Sequence, residues 1–463
     1  MLPFSGRMWY DINESKWAHG AGKGELSVKI RWKTVWLTAV ALAACCLLSG
    51  CSFFSTAESL FTLPQLPIEY TDLADQIRGL IADGYEYASP TSGRNIQSVQ
   101  MVDLDGDGDE EAIAFFRRSS DEKPLKIFIF RADEGGYESL CTIESSGTAI
   151  DSVYYRDLTG DGVQELVVGW RIAADVQTVA VYGIDQEPRT LMQSSYVRFS
   201  LEELNGDGIP SLLILRADEN GGSVAEFYSW QEEAMSVSYE SRISDTMAEL
   251  SRGSVVSGVL KDDLRAVFIS GVSEEGEVTT DILTYRDGSG LVNVTMDPQT
   301  GRSGSTQSYL QLRPQDINGD GAIEVPSPCV DEAGQPTGMV EWLAYSEWGR
   351  AQRAAITYHD PSGSWYFVLP ESWWDRVTVS TADRGPYEIQ TTLLVDGQET
   401  VSFYMLTGEN RENRAMRGNR LVLKRQTGTV YAGELLLGAE DLELTESVLR
   451  QNFKLISYEW TIG

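Results

Sequence analysis

The segment Asp103-Leu104-Asp105-Gly106-Asp107-Gly108-Asp109-Glu110-Glu111 recurs with its spacing intact at Asp157 to Glu165, Glu203 to Ser211 and Asp316 to Glu324. In every copy, places one, three, five and nine carry oxygen-bearing side chains and place six is glycine. Residues two apart in extended backbone point the same way, so the first three oxygens converge. Gly108, Gly162, Gly208 and Gly321 supply the positive φ that turns the chain back toward place nine. A hard cation taking six to eight oxygen ligands in a flexible cage suits such a loop, and the pattern predicts repeated calcium sites.

An EF-hand opens in a similar way but closes with a bidentate glutamate at place twelve and is flanked by helices. Place twelve is here Ala114, Val168, Ile214 or Ser327, which excludes it. The residues that follow the loops, such as Ala112-Ile113-Ala114-Phe115-Phe116 and Leu212-Leu213-Ile214-Leu215, are short apolar runs rich in strand formers. Each loop therefore leads into a buried strand. One Asp-Gly-Asp-Gly is an ordinary solvated turn, whereas four copies in register are a repeat.

The spacing of the copies is 54, 46 and then 113 residues, the last about twice the others. A degenerate unit is expected in the gap, and Lys261 to Ile269 keeps the apolar strand while Gly258, Leu260 and Ala266 stand where ligands would be. Within the first unit, strands are predicted at Ile96 to Val102, Glu111 to Phe116, Lys126 to Phe130 and Tyr137 to Ile143, with a turn at Glu134-Gly135-Gly136. Four strands in a unit of this length describe a propeller blade, which must stack on neighbours to bury both faces.

These repeats resemble the FG-GAP or VCBS repeats of the integrin α-subunit propeller and of bacterial surface proteins. The resemblance implies calcium held by the side chains at places one, three, five and nine and by the carbonyl at seven. The first site is then Asp103, Asp105, Asp107 and Glu111 with the Asp109 carbonyl. The second is Asp157, Thr159, Asp161 and Glu165 with Val163, and the last is Asp316, Asn318, Asp320 and Glu324 with Ala322. The third copy, with Glu203 first and Ser211 ninth, is expected to bind poorly or not at all. The implied fold is mainly β: a β-propeller of about five four-stranded blades over 88–365. Seven blades would require two more within 366–463. That region reads instead as a small α+β domain, with strands near Val377, Thr400, Leu421 and Val430, a polar helical turn at Glu409 to Met416 and a helix at Glu446 to Glu459.

Ahead of the repeats, Lys29, Arg31 and Lys33 precede an apolar run from Val35 to Leu48 that ends in Leu48-Ser49-Gly50-Cys51. The run is short for a membrane span and closes on small residues, as a signal peptide does. Its last four residues resemble the lipobox of bacterial lipoproteins, which implies cleavage before Cys51 and a lipid anchor on its thiol. Residues 1–50 are thus expected to be a leader and signal. Positions 1 to 27 fit that signal poorly, and translation from Val28 is expected if its codon is GTG behind a purine-rich block. Residues 51–87 are expected to hold the lipidated cysteine, a tether and a short helix that Thr71 caps, with Leu73, Ile77, Leu80 and Ile81 on one face and Gly84 as its stop.

Charge bounds the partners. Removing the six basic and three acidic residues of positions 1 to 50 from totals of 37 and 69 leaves 31 and 66, a net charge of −35. Such a chain repels nucleic acid and anionic headgroups, so its contact with a membrane is expected to run through the lipid. Beyond Cys51 only Cys141 and Cys329 remain, read as free thiols with a disulfide as the alternative.

Catalytic chemistry is sparse. After the signal the chain has one histidine, His359, and no Gly-x-Ser-x-Gly elbow, Cys-x-x-Cys pair or phosphate loop. Tryptophans at 342, 348, 365, 373 and 374 are expected to pack where the repeats meet the C-terminal region. The expected function is that of a calcium-binding, lipid-anchored module outside the cytoplasmic membrane, recognising a protein or glycan. A carbohydrate-active enzyme (glycosidase or lyase) and a structural envelope-assembly lipoprotein are the alternatives.

Overall fold

The computed structural model describes residues 70–456 apart from 134–135, 309, 332, 361, 363 and 443. The leader, Cys51, the tether and two residues of the Glu134-Gly135-Gly136 turn lie outside the described residues. No helix among the described residues is long and apolar enough to cross a membrane.

The chain is mainly β, laid out as six antiparallel sheets. In sheet 1, Glu86–Tyr87 and Val99–Val102 both pair with Glu111–Arg117, followed by Leu125–Asp133 and Gly136–Ser145. Sheets 2, 3 and 4 are four-stranded meanders in chain order. They begin with Ala149–Arg156, Arg198–Glu202 and Ser254–Val259, and their second strands are Glu165–Ala173, Ser211–Ala217 and Arg265–Val272. Sheet 5 runs through Glu324–Val330, Pro336–Tyr345, Ala351–Asp360 and Trp365–Val368, and Phe453–Leu455 returns to its edge. Sheet 6 comprises Val377–Asp383, Glu388–Val395, Gln398–Leu406, Thr429–Leu435 and Leu421–Gln426.

Period-two alternation in the second strand of each sheet explains how the sheets pack. Ile113 and Phe115 join a core with Leu166, Val168 and Trp170 of sheet 2, while Ala112, Ala114 and Phe116 face Leu73 of the helix Thr71–Ala82. Val167 turns the other way, onto Leu212 and Ile214 of sheet 3. Leu213 and Leu215 meet Val267 and Ile269 of sheet 4, and Phe268 meets Val325 and Tyr345 of sheet 5. Each strand is thus apolar on both faces, as the uninterrupted runs after the loops required.

Several local expectations are corrected. The first strand begins at Val99, and Ile96 is exposed. Thr71 is already helical, with Tyr70 at the N-cap making no side-chain cap bond. Ile81 is exposed because it lies about 100° around the helix from Leu80, past the buried stripe. The last helix stops at Asn452, where Phe453 leaves the helical period to pair with Phe367. There Phe453 stacks on Trp365 at 5.2 Å and on Phe403 at 5.6 Å, joining sheets 5 and 6 in one core. Trp365, Trp373 and Trp374 belong to that core, but Trp348 is exposed and lies under Arg286, whose guanidinium is 4.2 Å from its ring. Cys141 and Cys329 are free thiols, and burial pushes Cys141 up to about 11.

Replacing the buried Phe453 by alanine removes the ring that Trp365, Phe403 and Tyr431 share. Phe453→Ala is expected to cost about 3–5 kcal/mol in urea unfolding followed by tryptophan fluorescence. A loss under about 1 kcal/mol would show that this strand is not seated against sheet 5.

Candidate functional site

The three complete loops share one hydrogen-bond scaffold, and all four share its place-five part. At place one, Asp103 accepts the N–H of Gly106 (2.7 Å) and of Gly108 (3.1 Å). Asp157 accepts those of Gly160 and Gly162 at 2.6 and 2.9 Å, and Asp316 those of Gly319 and Gly321 at 2.6 and 3.0 Å. At place five, Asp107, Asp161, Asp207 and Asp320 each accept the N–H of place seven at 2.8–2.9 Å. Aspartate suits these turns because its short carboxylate reaches backbone donors two residues on. Both glycines of each loop have positive φ, from +77° to +96° in the first. The glycine at place four, which the sequence reading passed over, is therefore as necessary to the turn as that at place six.

Place nine ties the loop to the strand. The Glu111, Glu165 and Glu324 carboxylates are buried, and each accepts the N–H of place two: Leu104 at 2.9 Å, Leu158 at 2.7 Å and Ile317 at 3.0 Å. Burial, with the nearby aspartates adding to it, pushes Glu165 and Glu324 up to about 7, against the pull of backbone N–H donors, that of place two foremost. Glu111 is raised for the same reasons. The Oε1 of Glu324 is fully buried and has no hydrogen-bond partner among the described residues.

Asp103, Asp105 and Glu111 each bring one carboxylate oxygen within 4.8 Å of the others. Among the described residues they are the only three acidic, histidine or cysteine side chains so gathered. Asp107 stands outside that trio. In the other two complete loops place three is Thr159 or Asn318, so fewer charges meet. Asp109, Val163 and Ala322 show their N–H groups engaged with place five, which holds place seven in the turn.

The third loop is built differently. Arg265 of sheet 4 forms an ion pair with Glu203 and donates to the Glu203 carbonyl at 3.1 Å, placing a guanidinium beside the place-one carboxylate. Place nine is the buried Ser211, with no carboxylate to add. Sequence spacing does carry a trace of this contact, since Arg265 occupies place eight of the degenerate fourth unit. In the second loop the place-eight side chain, Gln164, donates to the Asp103 carbonyl in the equivalent way at 2.8 Å.

Neighbouring loops are also joined through backbone. The place-eight N–H of Gln164 donates to Leu104 at 2.7 Å, and that of Ile323 donates to Val259 at 3.0 Å. Gly258, read as a lost ligand, leaves room for Ile323, whose Cγ1 would lie 2.2 Å from any added Cβ.

His359 lies far from solvent, its ring stacked 5.1 Å from Tyr366 and 6.1 Å from Trp342, and burial holds it down at about 4. It is therefore a neutral core residue at ordinary pH.

No protein-family model and no curated protein matches the chain. Among solved structures, an exo-β-1,3-galactanase from Phanerochaete chrysosporium, determined with galactose, aligns at 10% identity and a TM-score of 0.25. The alignment covers 76% of this chain and 89% of that one. A hypothetical protein from Leishmania major aligns at 10% identity and a TM-score of 0.23, over 62% of this chain and 94% of that one. At these scores neither likeness bears on the reading of the loops.

The depressed His359 value gives a pH signature. The unfolded histidine takes a proton near pH 6.5 and the folded one only near 4, so stability is complete above 6.5 and falls as pH drops between the two. The loss expected is about 3 kcal/mol. Urea midpoints measured from pH 7 to 4 should fall less steeply for His359→Gln than for the parent chain, and identical slopes would refute the assignment.

Proposed function

We propose that the chain is a lipid-anchored extracytoplasmic binding module whose first, second and last loops each hold a calcium ion. The observation that carries this reading is the scaffold repeated in three separate loops, with a buried place-nine glutamate turned onto the same place-two N–H. A loop that needed only to turn would leave that position solvated. Burying a carboxylate against two others costs free energy unless a cation or donors compensate it, and the orphaned Oε1 of Glu324 marks an acceptor still available. Asp103, Asp105, Asp107 and Glu111 would hold the first ion, with the Asp109 carbonyl. Asp157, Thr159, Asp161 and Glu165 with Val163 would hold the second, and Asp316, Asn318, Asp320 and Glu324 with Ala322 the third. Calcium would supply charge neutralisation and fix the loop row, while the sheets present the binding surface to an extracellular protein or glycan.

Sheets 1 to 5 are read as propeller blades. Support comes from the meander order of sheets 2 to 4 and from the succession of cores between neighbouring sheets. The anchor on Cys51 rests on the lipobox-like Leu48-Ser49-Gly50-Cys51.

Calorimetric titration of the chelator-treated protein with calcium is expected to give a stoichiometry of about three, with the third loop silent. Glu324→Gln should remove one site and leave the other two, and chelator should lower the melting temperature of the parent chain by several degrees. A flat titration together with unchanged melting would end the calcium reading.

A further inference from the structure

A cavity of about 450 Å³ opens beside the start of sheet 4, between Arg252, the strand around Ser270–Val272 and the segment Gln311–Arg313. Its size falls in the range that holds a small ligand. In a chain with 69 acidic and 37 basic residues, this cavity carries Arg252 and Arg313 against one acid, Glu274. Arg198 stands behind it, held below the usual arginine value by burial and by repulsion from Arg313.

The arginines share a structural logic. Arg198 begins the first strand of sheet 3, Arg252 ends the short helix Met247–Arg252 with one residue between it and that of sheet 4, and Arg313 lies two residues before Gln315, which bridges to Glu324 on the way into sheet 5. Arg198 donates to the carbonyls of Leu250 (2.7 Å) and Ser251 (3.0 Å), and Arg252 to that of Val272 (3.0 Å). Neither makes an ion pair among the described residues, and both guanidiniums are oriented by backbone acceptors. A guanidinium so fixed, with N–H groups to spare, matches a planar carboxylate. The remaining wall mixes polar groups, Ser273 and Gln311, with the apolar Val278 and Leu312, which suits a ring bearing both hydroxyls and C–H faces.

The geometry points to this cavity as a binding site for an acidic sugar, its carboxylate set against Arg252, with Arg313 adding positive charge on the same wall, and its hydroxyls against Ser273 and Gln311. This names a ligand class for the binding role proposed above and rests on that reading, while the cavity shares no residue with the calcium loops.

The test is calorimetry on the full chain in saturating calcium, with glucuronate, glucose and inorganic sulfate as separate titrants. Glucuronate should saturate one site and glucose should give no saturable heat. Arg252→Gln and Arg313→Gln should each weaken glucuronate by about tenfold or more, with Arg252→Lys intermediate because it keeps charge and loses the fork. If one glutamine variant fails to fold by circular dichroism, the other and Arg252→Lys still decide the matter. Absence of glucuronate binding, equal binding of glucose, sulfate binding as tight as glucuronate, or unaltered affinity in the folded variants would each overturn the assignment. A calcium titration of the same sample separates the two readings: calcium without glucuronate removes only the pocket, and glucuronate without calcium removes only the metal.

Discussion

The hydrogen bond from the place-two N–H to the place-nine glutamate sets the geometry on which the repeated loops depend. It is made by Leu104 and Glu111, by Leu158 and Glu165, and by Ile317 and Glu324, with donor–acceptor distances between 2.7 and 3.0 Å. It clamps the last residue before the turn to the first residue of the emerging strand, so the carboxylate is buried at the strand's root. The aspartates at places one and five are meanwhile absorbed by backbone donors, which lessens their mutual repulsion before any cation is considered. Loop shape is thus set by neutral dipoles. Positive charge, where present, acts on a cage already formed.

That clamp also holds the facing of the strands that leave the three complete loops. Once Glu111 is held, Ala112 and Ile113 must point to opposite sides, and the two sides belong to different cores. Leu166 and Val167 are split in the same way behind Glu165, while Leu212 and Leu213, and Val267 and Phe268, alternate likewise without a clamp because the pleat sends successive residues to opposite faces. A one-residue slip would exchange every neighbour on both faces at once. The backbone bonds from Gln164 to Leu104 and from Ile323 to Val259 set the offset between adjacent units. Pro210 has no N–H to offer at the corresponding place eight of the third loop, whose place-seven residue Ile209 instead lies against Gly160, 2.5 Å from where a Cβ would stand.

What could be read from the sequence was whatever local spacing determines. The loops, the strands after them, the degenerate unit at Lys261 to Ile269 and the hairpin order of the first sheet were all legible, because turn chemistry and period-two apolar runs act over a few residues. Contacts between distant segments were not. Nothing near Phe453 announces that it leaves a helix to pair with Phe367, since the apolar stripe through Val448, Leu449 and Phe453 fits a helix equally well. Trp348 belongs to the same composition class as Trp365 yet is exposed over Arg286, because the chain there is a turn rather than a core strand. The cavity beside Arg252 was equally hidden. Its two arginines, Arg252 and Arg313, are 61 residues apart, and only the stacking of sheets brings their segments together.

The third loop shows how the repeat tolerates loss of an acid. Ser211 in place of glutamate removes the buried charge, and Arg265 from the next sheet supplies a guanidinium to the remaining Glu203 carboxylate. Arg265 can do so because place eight of its unit faces the preceding loop, as the Gln164 side chain does toward Asp103. Sheets 3 and 4 thus meet through an ion pair where the complete loops have a buried glutamate. At the starts of these same two sheets the Arg198 and Arg252 guanidiniums are held by backbone carbonyls, so the junction is tied by fixed cationic side chains at both places.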